Sequence, residues 1–288
     1  MSAVDLRSPA APASAVRRFV ARNPLAAVVG GILVAHALLA LLAPLLAPYP
    51  PDQMDFLAVM KPPSLEHWFG TDRYGRDVFS RVIHGGQITL VFGAGAVGLC
   101  FLIGLPAGLA AAYFGGVVDQ IVMRVMDVAM SFPTLLLGLL ILIIAGADLT
   151  NLVIAVGLAY CPRTTRVVRS AALTLCQAPF VEAAQARGES ALYIMAREIL
   201  PAAWGPIIVE LCIRAGYAIL LGASFNYLGL GVQPPDADWG ALVYEARGQM
   251  LLAPWVVLFP ILFISSLVAS LHLLGDAIDA SLSGRHHD

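Results

Sequence analysis

Six apolar stretches alternate with polar segments along the chain. By number they are 25–47, 88–114, 128–147, 149–161 with an extension to 176, 202–228 and 251–275. Five of them hold about twenty or more residues with few charges, which is the length an α-helix needs to cross a bilayer. The fourth reaches that length only through its extension past Pro162. The pattern predicts an all-α, polytopic membrane protein with about six transmembrane helices.

Composition supports this class of protein. Of 288 residues, 59% are hydrophobic and 12% are charged, with a mean hydropathy of +0.81. A soluble domain usually carries about 25% charged residues. The chain therefore has too little polar surface to cover a water-facing body of its size. Its four cysteines lie in or beside apolar stretches without a C-x-x-C pair, so we expect structural thiols.

The distribution of basic residues predicts the orientation, because cytoplasmic loops carry an excess of Arg and Lys. With the N-terminus inside, eleven basic residues are cytoplasmic, five are extracytoplasmic and Arg214 lies within a span. The predicted order is a cytoplasmic tail (1–24), a first transmembrane helix (25–47), an extracytoplasmic loop (48–86), a five-helix core (87–280) containing a cytoplasmic loop (179–201), and a cytoplasmic tail (281–288).

The polar interruption at 179–201 has its own local signals. Pro179 suits a first helical turn, Gly188 can end a helix in the left-handed conformation, and Ser190 can cap a second helix. Pro201 would then end that second helix or start another. One predicted face holds Val181, Ala184, Gly188 and Leu192. A second face holds Glu182, Gln185 and Glu189. The stretch is therefore predicted to be an amphipathic hairpin that binds a partner.

Sequence motifs exclude a nucleotide site in this chain. Gly93 to Gly98 fits G-x-G-x-x-G, but it lies inside an apolar stretch with no preceding strand, so close helix packing explains it better, as it does for Gly104-x-x-x-Gly108. The only lysine, Lys61, follows no glycine-rich loop, so a Walker A motif is absent. If the protein moves a solute uphill, the energy comes from another subunit or from an ion gradient.

Charges within or beside the apolar stretches are candidates for a transport pathway. Glu210 and Arg214 have the i, i+4 spacing of an intrahelical ion pair, and a role in lining the pathway is the alternative. Arg124 and Asp127, three positions apart near the cytoplasmic end of the third stretch, are expected to have a structural role. Three arginines share one face where the fourth helix is expected to emerge into headgroups and cytosol: Arg163, Arg166 and Arg169.

The hairpin resembles the cytoplasmic loop of bacterial ABC-importer permeases. That pattern is Glu-Ala-Ala, three residues, Gly, then about nine residues before Ile-x-Leu-Pro. The matching residues are Glu182, Ala183, Ala184, Gly188, Leu200 and Pro201. Glu198 stands where the pattern has Ile, with Ile199 beside it. Further stretches are similar to the C-type subunit of dipeptide/oligopeptide/nickel permeases, namely 69–77, 80–81, 113–116, 127–133, 228–235, 239–240, 253–255 and 274–276.

This resemblance implies a type I ABC-importer permease fold in the bacterial inner membrane, with both termini cytoplasmic. It implies a heterodimer with a paralogous permease, two ATPase subunits that bind and hydrolyse ATP, and an extracytoplasmic solute-binding protein. The chain would be a transport subunit and not an enzyme, and no cofactor would reside in it. The solute would be a peptide or a related small molecule, and the six matching residues would couple the permease to the ATPase, with Gly188 acting through its backbone.

Two other classes of protein are the alternatives. An ion-gradient-driven secondary transporter would show inverted repeats with broken helices at matching positions. A membrane-embedded enzyme would show a convergent set of polar residues within the spans. The sequence has neither feature.

Overall fold

The computed structural model describes residues 23–233, 236 and 238–283, and this part of the chain is helical without a β-strand. The helices are α1 (Pro24–Leu41), α2 (Ala43–Leu46), α3 (Val78–Phe114), α4 (Gly116–Met130), α5 (Thr134–Ala145), α6 (Leu149–Leu175), α7 (Pro179–Ala186), α8 (Ala191–Tyr193, continuing through a π-helical turn, Ile194–Ile199, and Leu200–Ala202), α9 (Trp204–Tyr227), α10 (Trp239–Ala246, then a 3₁₀ turn, Arg247–Gln249) and α11 (Trp255–Ser283).

The predicted spans correspond to α1, α3, α4 with α5, α6, α9 and α11. Four of these helices, α1, α3, α9 and α11, are each long and apolar enough to cross a membrane by themselves. Helix α3 begins at Val78 and not at Ile88, because the Asp77 side chain caps it by accepting a 2.8 Å hydrogen bond from the Ser80 N–H. Residues 78–86, predicted as the end of a loop, are therefore helical.

The third apolar stretch, 128–147, is not a single helix. Helices α4 and α5 meet at 84° across residues 131–133. Pro133 has no N–H and cannot continue the hydrogen-bond ladder, which accounts for the break. Helix α5 spans only about 18 Å, and among the residues of α4 none is fully buried.

Helix α6 runs unbroken through Pro162 and packs along α3. Glycines make the close approach possible: a Cβ on Gly108 would lie 2.7 Å from the Thr165 carbonyl oxygen, and one on Gly157 would lie 2.9 Å from Leu99 Cδ2. The predicted role of Gly104-x-x-x-Gly108 in close packing is confirmed. Helices α9 and α11 pack together and complete the bundle.

Asp127 has a structural contact, as expected, but its partner is not Arg124. Asp127 pairs with Arg166 of α6, and Asp119 pairs with Arg169 of the same helix. Helix α4 packs against α6, which brings the arginines within reach of its acidic side chains. Arg124 has no hydrogen-bond or ion-pair partner among the described residues.

Candidate functional site

The coupling hairpin, residues 179–201, has the helix–turn–helix geometry that its sequence predicts. Gly188 adopts a φ of +77° after α7. The Glu189 N–H donates to the Ala184 carbonyl at 3.2 Å and the Gly188 N–H donates to Gln185 at 2.9 Å, which together form a Schellman motif. Ser190 then caps α8, its hydroxyl oxygen accepting from the Tyr193 N–H at 3.3 Å. The predicted helix end at Gly188 and the predicted N-cap at Ser190 are confirmed. Pro201 does not end the helix, since it lies near the start of the helical turn Leu200–Ala202.

One face of the hairpin is fixed to the bundle. Val181 and Ala184 are fully buried, in an apolar cluster that includes Leu109 of α3 and Val168 of α6. The expectation that Leu192 shares this face is wrong, since its side chain is 73% exposed. Helical spacing cannot extend across Gly188, because the left-handed residue redirects the chain.

Glu198, which stands where the family pattern has Ile, lies in a π-helical turn. In the π-helical turn of α8, backbone bonds run from residue i to i+5, so residues five apart lie nearly above one another. Ile194 and Ile199 therefore face the core together, and both are fully buried. Glu198 points outward and meets the Arg187 guanidinium at 3.4 Å. Ile199 is therefore the buried isoleucine of this turn, one position after the Ile of the family pattern.

The other matching residues lie at or near the surface. Glu182, Ala183 and Pro201 are exposed, and Leu200 is half-buried beside the apolar cluster. A Cβ on Gly188 would meet no atom within 4 Å, so only its backbone angle constrains the residue type. The hairpin therefore offers a fixed, exposed surface to a partner while its opposite face is held by the bundle.

Glu210 and Arg214 lie inside the bundle, away from the hairpin surface. Arg214 Nε is 2.7 Å from Glu210 Oε1, and the same oxygen accepts a 3.1 Å hydrogen bond from Thr164 of α6. The Arg214 guanidinium also lies 5.4 Å from the ring centres of Tyr160 and Tyr217. Both charged residues are more than nine-tenths buried within this chain. The geometry favours a structural ion pair joining α6 and α9.

The structure also reveals an ion-pair cluster, Asp72, Arg76, Arg81 and Glu245, that sequence reasoning missed. Arg76 donates to Asp72 and to Glu245, each at 2.6 Å, and Arg81 donates to Asp72 at 3.2 Å and to Glu245 at 3.0 Å. The only sequence signal was a high density of charge before α3. Burial opposes ionisation of Glu245, but the two guanidinium groups outweigh it and hold the pKa of Glu245 below its usual value.

Close to this cluster, Asp238 caps α10. Its carboxylate accepts hydrogen bonds from the Ala241 N–H at 2.8 Å and from Asn226 Nδ2 at 2.6 Å, which ties the end of α9 to α10. Burial raises the pKa of Asp238 to about 6 in spite of these donors. Among the described residues, no group of three or more His, Cys, Asp or Glu side chains could hold a metal ion.

Comparison with known proteins accounts for these features together. Residues 104–284 match the family model described as binding-protein-dependent transport system inner membrane component. The chain belongs to this permease family. Residues 13–63 of the permease match a second family model, the N-terminal TM domain of oligopeptide transport permease C.

Relatives of the permease extend over nearly its whole length. It is 39% identical over 273 residues to a protein named glutathione transport system permease protein GsiD from Shigella dysenteriae serotype 1, covering 93% of this chain and 90% of that one. A protein of the same name from Pectobacterium atrosepticum is 38% identical over 267 residues, covering 92% and 88%.

The fold of the permease is that of a solved importer. An inward-facing structure of the MetNI methionine ABC transporter matches with a TM-score of 0.58 and 20% identity, covering 70% of this chain and 95% of that chain. The protein is therefore a permease subunit of an ABC importer with the type I fold, as the resemblance implied. Nothing in the comparisons supports the secondary transporter that was the alternative.

Proposed function

We propose that this permease forms half of a translocation pathway and receives its driving force through the coupling hairpin. A paralogous permease would supply the other half, two ATPase subunits would bind and hydrolyse ATP, and an extracytoplasmic binding protein would deliver the solute. The observation that carries this proposal is the hairpin itself, which exposes Glu182 and Ala183 while Val181 and Ala184 are buried.

The packing of the hairpin explains how a movement of the ATPase subunits would be transmitted to the membrane helices. Its buried residues contact α3 and α6, and the same apolar cluster continues into the start of α9 through Ala203 and Ile207. Closely packed interiors move as units, since their side chains cannot slide without opening voids. Closure of the ATPase pair would therefore move three helices together and turn the pathway from inward-open to outward-open.

Location and solute follow from the family and from its relatives. The inner membrane suits a multi-pass permease, and the excess of basic residues supports cytoplasmic termini and a cytoplasmic hairpin. Residues 1–22 and 284–288 of the predicted tails lie outside the described residues. The relatives named as glutathione permeases support a peptide-like solute.

The experiment compares hairpin variants in the purified complex. Glu182→Lys reverses a charge on the exposed face, and Gly188→Val forces a branched side chain to a φ of +77°. We expect both variants to lose ATPase association and ATP-driven uptake at least about tenfold, which corresponds to roughly 1.4 kcal/mol of coupling. Gly188→Asn should retain most activity because Asn tolerates the left-handed conformation.

Glu66→Lys, an exposed charge reversal far from the hairpin in sequence, is the matched control and should behave as the unmodified permease. Normal ATPase association and normal uptake in both Glu182→Lys and Gly188→Val would remove the coupling role from this hairpin.

A further inference from the structure

One face of α6 changes character halfway along the helix. Between Thr150, which is exposed in the first turn, and Arg163, the exposed side chains are apolar: Ile154 is 37% exposed and Leu158 is 39% exposed. From Arg163 onward, the exposed side chains are all polar and follow one face at spacings of three and four. We call these four residues the polar strip: Arg163, Arg166, Ser170 and Thr174.

The depth of the strip is unusual for polar residues. Arg163 lies about 21 Å along α6 from Leu149, at 1.5 Å per residue, whereas the hydrocarbon core of a bilayer is about 30 Å thick. At the same rise per residue, Arg166 lies about 26 Å from Leu149, and Ser170 and Thr174 lie beyond about 30 Å. A strip that faced acyl chains would therefore expose two guanidinium groups to hydrocarbon. Such side chains lie instead against a water-filled cavity or a protein partner.

The charges along the strip are not balanced. Arg166 pairs with Asp127, and Arg169, beside the strip, pairs with Asp119. Arg163 has no hydrogen-bond or ion-pair partner within the part of the chain that the structure describes. The deepest residue of the strip is therefore an unpaired guanidinium, and a guanidinium binds carboxylates through two parallel hydrogen bonds.

From these observations we infer that the polar strip lines the cytoplasmic half of the solute passage and that Arg163 binds a carboxylate of the passing solute. The inference rests on the proposed function, since it assigns a chemical class, a carboxylate-bearing solute, to the pathway proposed above. Partial desolvation at this depth strengthens the attraction between the Arg163 guanidinium and the carboxylate relative to bulk water. Arg163 would contact a single carboxylate of the solute. Such a limited contact suits a passage that must also release its solute.

The first test measures water access, and it does not depend on knowing the solute. The native cysteines are replaced by serine, and single cysteines are introduced in the assembled complex in inverted membrane vesicles without ATP. We expect Arg163→Cys to react with a membrane-impermeant anionic thiosulfonate. Leu158→Cys, which is exposed on the apolar half of the same helix, is the matched control and should not react.

The second test measures the local charge. Ser170→Cys, two turns from Arg163, reports the ratio of its reaction rates with anionic and cationic thiosulfonates. One unit charge about 10 Å away at an intermediate dielectric should raise this ratio about fivefold. Arg163→Gln should abolish the increase, and Arg163→Lys should preserve it.

An unreactive Arg163→Cys variant would overturn the inference, since the side chain would then reach headgroups or a partner chain. So would a rate ratio that Arg163→Gln leaves unchanged, which would mean that a partner's carboxylate already neutralises Arg163. Transport and ATPase association in the same vesicles keep the two proposals apart. Because the vesicles are inverted, transport is measured as the ATP-driven release of solute that was enclosed in the lumen together with the binding protein. If the complex transports solute but either thiosulfonate measurement fails, only the inference about Arg163 and the polar strip is wrong. If the unmodified complex binds no ATPase, the proposed function is wrong.

Discussion

The ion-pair cluster and the coupling hairpin use charge in opposite ways. In the cluster, Asp72, Arg76 and Arg81 are each more than nine-tenths buried, and every one has a charged partner. On the hairpin, the Arg187 side chain is 53% exposed and meets acidic groups only at 3.4 and 3.8 Å. Buried charges hold the loop before α3 onto α10, whereas the hairpin is held by apolar packing.

This difference indicates where each region can tolerate change. A buried charge that loses its partner keeps its full desolvation cost. An exposed charge that loses its partner is resolvated by water. Charges on the hairpin can consequently vary to complement a partner protein, whereas those of the cluster are needed for the stability of the fold.

The largest expected effect comes from Glu245→Ala. The change leaves Arg76 and Arg81 buried with Asp72 as their remaining partner, so we expect the free energy of unfolding to fall by about 3–5 kcal/mol. Thermal unfolding of the purified permease in detergent measures it. Glu182→Ala, on the exposed face of the hairpin, is the control. Equal unfolding temperatures for the two variants would contradict the comparison.

A smaller effect concerns pH and Asp238. Because the folded pKa of about 6 is raised above the unfolded value, the folded state retains the proton at higher pH than the unfolded state does. The stabilisation is complete below about pH 4 and is lost as the pH rises through about 6. Between pH 5 and pH 8 we expect a loss of about 1.4 kcal/mol.

The measurement is the unfolding temperature at pH 5 and pH 8 for the unmodified permease and for Asp238→Asn, which cannot ionise. The change with pH should be smaller in the variant, whatever its absolute stability. An identical change in both proteins would show that Asp238 does not titrate in this range.

The smallest expected effect is at the hairpin surface. Arg187→Gln removes an exposed pair with Glu198 and should change the free energy of unfolding by less than about 1 kcal/mol. The same thermal measurement applies. A loss as large as that expected for Glu245→Ala would mean that hairpin charges also hold the fold.

Local signals predicted much of the hairpin and little of the cluster. Gly188 and Ser190 act through hydrogen bonds to residues within five positions, so their roles could be inferred from sequence. The π-helical turn could not be inferred, because it arises from the need to bury both Ile194 and Ile199 in one apolar cluster. The coupling role of the six matching residues stays a prediction until the variants are tested.

Hydropathy located the spans for a similar reason, since the cost of exposing backbone and charge to hydrocarbon acts on each segment separately. Hydropathy misplaced the start of α3, because capping by Asp77 extends that helix into a polar segment. The 84° break between α4 and α5 follows from Pro133, whose missing N–H is visible in the sequence but does not affect hydropathy.

By itself, the sequence determined that this protein is an all-helical membrane protein with a two-helix hairpin, because these properties depend on short-range composition and spacing. That it is a permease followed from its resemblance to the ABC-importer family. Only the tertiary structure decided which charges are paired. Arg76 and Glu245 are 169 positions apart, and Asp127 pairs with Arg166 although Arg124 is far closer in sequence. Such partners are chosen by how helices pack, and packing depends on all the contacting surfaces at once.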